Sequence, residues 1–237
     1  MEENHMRFTC NIATYNQLPI LKLILSALEN QPFKDFEIIV CDDGSSDGTK
    51  EFMATKPYKY FWQEDIGFRL AKSKNNGIRA AEGDYFISLE ADVIPNKNML
   101  LEYNMWAKPD TVIYGVRHDI EGIPDTYDSE VLDTRIVSRD FRMDDLRNIA
   151  NIVKPWRACS GCNFLIPTSK LKEIGGWNEN FKHYGVDDYE VCLRLYNAGC
   201  KFVPCIGAYG YHIKHELRGT IDENVKLLEE AERKLGL

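Results

Sequence analysis

Apolar residues along this chain fall into two alternating spacings. FTCNIA, from Phe8 to Ala13, and FEIIVC, from Phe36 to Cys41, are short continuous runs of the kind buried on both faces of a parallel sheet. Leu18 to Leu28 instead repeats its apolar residues at helical spacing, and Leu70 to Ala81 reads as a second helix ended by Gly83. The turn TYNQ joins the first strand to the first helix. The second strand runs into DDGSSDGT, where Ser46 or Asp47 is placed to cap a helix that begins near Thr49 and includes Phe52. Tyr58 to Trp62 and Tyr85 to Leu89 are two further strands.

Beyond Pro109 the pattern is more mixed. A strand is predicted near Thr111 to Val116, followed by a mobile, partly helical insert that reaches Pro155. Asn163 to Pro167 is again a strand, Leu171 to Ile174 a short helix, and YGVDDYEVCLRLYNAG an amphipathic helix stopped by Gly199. Lys201 to Ile206 reads as a last strand. Asp222 to Lys234 reads as a charged helix that docks through Val225, Leu227, Leu228 and Ala231. Strands alternating with helices predict an α/β fold with a largely parallel sheet, whose ligands sit outside the carboxyl ends of the strands. Three polar clusters fall at such ends: Tyr15-Asn16, Asp42-Asp43 and Glu90-Ala91-Asp92.

Composition narrows the classes. At 237 residues, 44% of them hydrophobic, the chain suits one large domain with its own core. Its net charge of −8 disfavours nonspecific attachment to nucleic acid or anionic lipid, so an anionic substrate needs local cations or a metal. There is no apolar run of about eighteen residues and no apolar core behind the charges of MEENHMRF, which points to a cytoplasmic protein. The seven cysteines are an odd number scattered through predicted elements, which suits a reducing compartment. The Cys159–Cys162 pair, lacking a second pair at zinc-site spacing, reads as packed thiols.

The clusters carry chemistry of unequal specificity. Glu90 and Asp92, one residue apart at a strand end, suit a metal and a ribose, although a solvated acidic turn has the same appearance. A carboxylate from Asp42-Asp43 can accept a hydrogen bond from a uracil ring nitrogen, and the same loop also suits a simple Asx turn with a helix cap. Asp187, Asp188 and Glu190 crowd a helix start, where the dipole favours negative charge. One of them is also placed to deprotonate a hydroxyl. His212 and His215 lie three apart after the last strand and are either metal ligands or ordinary surface and core residues.

Taken together, ATYN at Ala13 to Asn16, VCDDGSSDGT at Val40 to Thr49, EDIGFRLAKSKNNGI at Glu64 to Ile78, LEADVIP at Leu89 to Pro95, GGWNENF at Gly175 to Phe181 and YGVDDYEVCLRL at Tyr184 to Leu195 form one ordered set. In order and spacing they resemble the inverting GT-A-fold glycosyltransferases of family two, typified by bacterial chondroitin-type polymerases. The C-terminal half also looks like the galactosyltransferase family. The resemblance covers roughly Phe8 to His215.

It implies a GT-A nucleotide-diphospho-sugar transferase domain, with a nucleotide-binding half over about 7–105, an acceptor and catalytic half over about 106–220 and a terminal helix over 221–237. It implies that Tyr15 and Asp42-Asp43 hold the uridine, with Ala13 and Ala91 beside the nucleotide, and that Arg69 and Lys74 lie near the ribose and diphosphate. By the same resemblance Glu90 contacts the ribose, Asp92 binds a metal, Mn2+ or Mg2+, and Asp188 is the general base with Asp187 at the sugar hydroxyls. His212 or His215 is the second metal ligand. The implied partners are a UDP-sugar donor and a glycan or glycolipid acceptor; peripheral attachment to a membrane stays open. Glu90, Asp187 and Tyr184 replace the usual Asp, Glu and Trp of the family motifs, so acceptor identity does not carry over. With one transferase domain matched, addition of a single sugar is expected. The rival readings are a noncatalytic sugar-nucleotide or carbohydrate binding module and a nucleotidyltransferase; the latter class usually carries a glycine-rich basic loop where this chain has ATYNQLP.

Overall fold

The computed structural model describes residues 8–140, 153–159, 163–215 and 221–237. The nucleotide-side elements follow the predicted alternation: β1 (Phe8–Thr14), α1 (Leu18–Glu29), β2 (Phe36–Asp42), α2 (Thr49–Met53), β3 (Lys59–Trp62), α3 (Leu70–Ala80) and β4 (Tyr85–Glu90). Then come β5 (Val93–Pro95), α4 (Met99–Trp106), β6 (Thr111–Ile120), α5 (Ser129–Thr134) and β7 (Ile136–Ser138). A 3-10 turn at Pro155–Ala158 leads to β8 (Asn163–Pro167), α6 (Thr168–Glu173), α7 (Asp187–Asn197), β9 (Lys201–Ile213) and α8 (Asp222–Lys234).

One sheet runs in the order β3-β2-β1-β4-β8-β6-β9-β5, with β7 beside β6. Strands β3, β2, β1 and β4 are mutually parallel, so their carboxyl ends share one edge. β8 runs antiparallel to β4 and ends that parallel block, and β6 pairs antiparallel with β8 but parallel with β9. The parallel sheet expected from the sequence thus describes the first half of the chain; the second half is mixed. Apolar side chains fill both faces. Leu21, Leu28, Ile87 and Tyr103 pack on one side. Phe86, Ile166, Trp177 and Leu193 pack on the other.

Several boundaries differ for local reasons. β9 reaches Ile213, because Gly207 and Gly210 interrupt its apolar run without ending the strand. A side chain at Gly207 would meet Glu102 and one at Gly210 would meet Val93, so both glycines allow close approach. A register shift after Tyr114 lets β6 pair first with Lys201–Pro204 and then with Tyr209–Ile213. Helix α2 follows a left-handed Gly48, and neither Ser46 nor Asp47 occupies its cap. Asp47 instead binds the amides of both Thr49 and Leu18, joining the starts of α2 and α1. Helix α8 buries Asn224, Leu228 and Glu232, a face that includes two polar residues absent from the predicted docking stripe. Cys159 is a buried free thiol. Cys162 and residues 141–152 of the expected insert lie outside the described residues. Among the described residues no helix is long and apolar enough to cross a membrane.

Candidate functional site

Strand register assembles the site. Thr14 pairs with Asp42, Asp42 with Trp62 and Ala13 with Glu90, so the loops after four strands leave the sheet from one edge. They open into a cleft of about 470 Å³ lined by Ala13, Tyr15, Asp43, Asp65, Glu90, Ala91, Asp92 and, across from them, Lys182, His183, Tyr184 and His215.

The two acids after β2 have different roles. Asp42 is fully buried and accepts hydrogen bonds from the Gly44 and Ser45 amides and from the Tyr60 hydroxyl at 2.6 Å. It shapes the loop and does not line the cleft. The turn needs Gly44 at φ 97°, where a side chain would strike Asp65. Asp43 does line the cleft, held by Gln63 Nε2 at 2.5 Å and the Arg69 amide at 2.8 Å. Burial pushes its carboxyl up despite those two donors. Tyr15 is exposed and donates to Asp65 Oδ2 at 2.9 Å. The Arg69 guanidinium turns to the Glu64 carbonyl, so this residue meets the cleft through the backbone amide that holds Asp43. Gln63 and Asp65 escaped the sequence reading. Their signal was the polar WQED stretch immediately after β3.

A second group forms where β5 pairs with β9. Val93 stands opposite His212, which brings Asp92 to residues more than a hundred positions away. Asp92 Oδ2 lies 3.1 Å from His215 Nε2 and 3.8 Å from His212 Nε2, so both imidazoles between which the sequence left a choice reach the same carboxylate. One ligand atom from each of the three residues fits within 4.8 Å of the others. Asp92 Oδ1 is buried without a partner among the described residues. An orphaned carboxylate oxygen beside two imidazoles fits a divalent ion that accepts nitrogen and oxygen donors, such as Mn2+. Asp119 is the residue the sequence reading missed here. Its Oδ1 lies 2.8 Å from His212 Nδ1, which leaves Nε2 facing Asp92, and Ser138 donates to its other oxygen. Partial burial would raise the Asp119 carboxyl, but the bonds from Ser138 and His212 outweigh it and hold it low.

The third group sits at the start of α7. Val186, left-handed at φ 58°, turns the chain into the helix, and Asp187 and Asp188 are both buried in its first turn. Glu190 pairs with Arg194, which also donates to the carbonyls of Ile174 and Gly176; it holds structure, as the helix-start reading of these acids allowed. Asp188 Oδ1 accepts from Lys74 Nζ at 3.0 Å and Trp177 Nε1 at 2.8 Å. Lys74, expected beside the diphosphate, has no exposed surface. Its ammonium lies 3.4 Å from both Asp187 and Glu90. Burial works against that charge, but Asp188, Asp187 and Glu90 together raise the ammonium's pKa. Burial, with Asp187 adding, pushes Asp188 up to about 6 against the pull of Lys74 and Trp177. Burial likewise raises Glu90.

The loop before α7 is held from behind by α8. Asn224 donates to the His183 and Gly185 carbonyls at 2.6 and 2.9 Å, and Glu223 pairs with the His183 ring at 2.7 Å. Lys182, His183 and Tyr184 are thereby presented to the cleft.

The profile of glycosyl transferase family 2 matches residues 9–175. A profile described as the N-terminal domain of galactosyltransferase matches residues 147–216. Chondroitin synthase of Escherichia coli is 31% identical over 231 residues, which is 85% of this chain but 34% of the relative's length. Validoxylamine A glucosyltransferase of Streptomyces hygroscopicus subsp. jinggangensis is 25% identical over 243 residues, 92% of this chain and 57% of that protein. Among solved structures, GalNAc-T7 with UDP, GalNAc and Mn2+ superposes with a TM-score of 0.70 at 18% identity, covering 96% of this chain and 48% of that one. S. aureus TarS with UDP-GlcNAc gives 0.67 at 21%, covering 95% and 66%. The structural likenesses establish a shared GT-A fold.

Proposed function

The chain belongs to glycosyl transferase family 2, and from that premise we propose that it moves a sugar from a UDP-sugar to an acceptor hydroxyl, with a divalent metal and with inversion at the anomeric carbon. The observation that carries this reading is one ammonium, Lys74 Nζ, touching both Glu90 of the donor cleft and Asp188 at the start of α7. In this reading the nucleotide-side and base-side carboxylates form one site.

In this reading Asp43 and Tyr15 hold the uracil, with Asp42 and Arg69 setting the loop around them. Small side chains at Ala13 and Ala91 leave room for the nucleotide, and Glu90 meets the ribose. Asp92, with His212 and His215, would hold Mn2+ or Mg2+, which when bound offsets the charge of the departing diphosphate. Asp188 takes the proton of the acceptor hydroxyl as that oxygen attacks the anomeric carbon from the face opposite UDP. Asp187 binds sugar hydroxyls beside it. The expected acceptor is a glycan or glycolipid met in the cytoplasm or at a membrane surface. Residues of about 7–105 serve the nucleotide and about 106–220 the acceptor, with 221–237 bracing the acceptor loop.

The test is UDP release from a panel of UDP-galactose, UDP-glucose and their N-acetyl counterparts, with and without Mn2+. Metal-dependent release from one donor supports the reading. Equal release after metal removal would refute the metal assignment. A nucleotidyltransferase would instead release pyrophosphate from a nucleoside triphosphate, and a binding module would bind without turnover.

A further inference from the structure

We propose that Lys74 and Trp177 are positioning residues for Asp188, fixing which carboxylate oxygen meets the acceptor and holding that carboxylate ionised; this rests on the reading of Asp188 as the base. Both donors converge on Oδ1, at 3.0 Å from the ammonium and 2.8 Å from the indole nitrogen. Oδ2 is left without a partner among the described residues, so it is the oxygen free to accept a proton. The ammonium also stands 5.2 Å from the centre of the Trp177 ring, so the two donors hold each other in place.

The chain builds this arrangement deliberately through α3. Gly77 lets the helix press against β1 and β2, since a side chain there would run into Asn11 and Cys41. Lys74, one turn away on the same helix, is fully buried away from solvent. Its neighbour Asn75 pins the loop that carries Trp177: Oδ1 accepts the Trp177 amide at 2.8 Å, and Nδ2 donates to the Trp177 carbonyl at 2.9 Å. Gly176, at φ 73°, leaves room for Asn75 to do so. The SKNNG and GGW segments, a hundred residues apart, thus act as one support under the base.

The groups facing Asp188 oppose one another. Asp187 and the Cys192 thiol come from its own helix and Glu90 from β4. Among the described residues the cation that meets it is Lys74, from α3, and the Trp177 N–H comes from the loop after α6. Burial and the neighbouring acids favour the protonated carboxyl; Lys74 and Trp177 favour the carboxylate that a base requires. A fully buried ammonium among three acids cannot reach a diphosphate in this arrangement, which is why we assign Lys74 to the base and not to the nucleotide.

The test is a carbon-13 carboxyl titration of the metal-free full chain with labelled aspartate, the Asp188 signal being identified by its loss in Asp188→Asn. Lys74→Met should raise the Asp188 midpoint by about 1 to 3 pH units, the range by which a close opposite charge moves a carboxyl. Trp177→Phe, which deletes a single donor, should raise it by less. A residue that only fills space would leave the midpoint in place. If Lys74→Met does not fold, Trp177→Phe decides alone, and an unmoved midpoint in every variant that folds overturns the proposal. The acid limb of UDP release, measured with whichever donor of the panel is turned over, should move in parallel. A shifted carboxyl signal with an unshifted limb would keep the positioning role and sink the base assignment instead.

Discussion

In the proposed mechanism Asp188 draws its basicity from its surroundings. Held near a pKa of about 6, it is ionised at neutral pH and becomes protonated as the pH falls through that value. A base must be ionised, so turnover should decline on the acid side with a midpoint near about 6 and be flat above it, which a kcat–pH profile would check. Asp188→Asn removes the proton acceptor while keeping size, and should lower kcat by about 10² to 10⁴. Its UDP affinity, read by calorimetry, should change little. Asp119 is predicted to act at one remove. Its carboxylate sets which nitrogen of His212 faces Asp92, so Asp119→Asn should weaken Mn2+ binding by roughly 10- to 100-fold, with the UDP pocket intact.

At the level of elements, α3 and α8 carry more of the site than their surface positions suggest. Alanine is normally the better helix former, so an exposed Gly→Ala change in a helix is stabilising. Gly77→Ala should do the reverse, because the added carbon meets Asn11 and Cys41 of β1 and β2. A loss of about 1 to 3 kcal/mol in a urea titration is expected. Helix α8 is anchored by Glu232, which accepts from Lys154, Trp156 and Arg157 around the turn at Pro155–Ala158. Burial would raise this carboxyl, but those donors hold it down at about 2. Its folded value lies below the unfolded value of about 4.3, so its stabilisation is complete above that pH and is lost as the pH falls toward about 2. Glu232→Gln should cost about 1.5 to 3 kcal/mol at neutral pH and reduce the acid sensitivity of unfolding. The larger penalty of a stranded buried charge does not apply, because Lys154 and Arg157 remain partly exposed to water.

On the scale of the whole molecule, the cleft draws its two walls from distant parts of the chain, and a ligand that bridges them stabilises the folded state as a unit. On the proposed function, UDP with Mn2+ should raise Tm by more than the sum of the two separately, since the diphosphate and the cation would each complete the other's site. Asp92→Ala should abolish that extra increment in a thermal-shift assay. If the increment survives, the metal sits elsewhere.

The alternation of strand and helix through β4, and the placement of Ala13, Asp43 and Glu90-Ala91-Asp92 at strand ends, were legible from the chain because side-chain spacing dictates secondary structure locally. The terminal helix was legible for the same reason, down to its limits at Asp222–Lys234. Short or glycine-interrupted elements were not: α4 spans eight residues with little amphipathic contrast, and the far half of β9 is recognisable only from its pairing with β6 and β5. Roles that depend on partners stayed equally hidden. Asp42 and Asp43 are adjacent and alike in sequence, and only the fold turns one into the loop and the other into the cleft. The family resemblance sets Lys74 near the ribose and diphosphate, and only packing shows the three acids around its ammonium; Asp119 carries no motif, and only register sets it against His212. Backbone preference and burial are properties of neighbours in sequence; the charge environment that gives an acid or an amine its work is a property of neighbours in space.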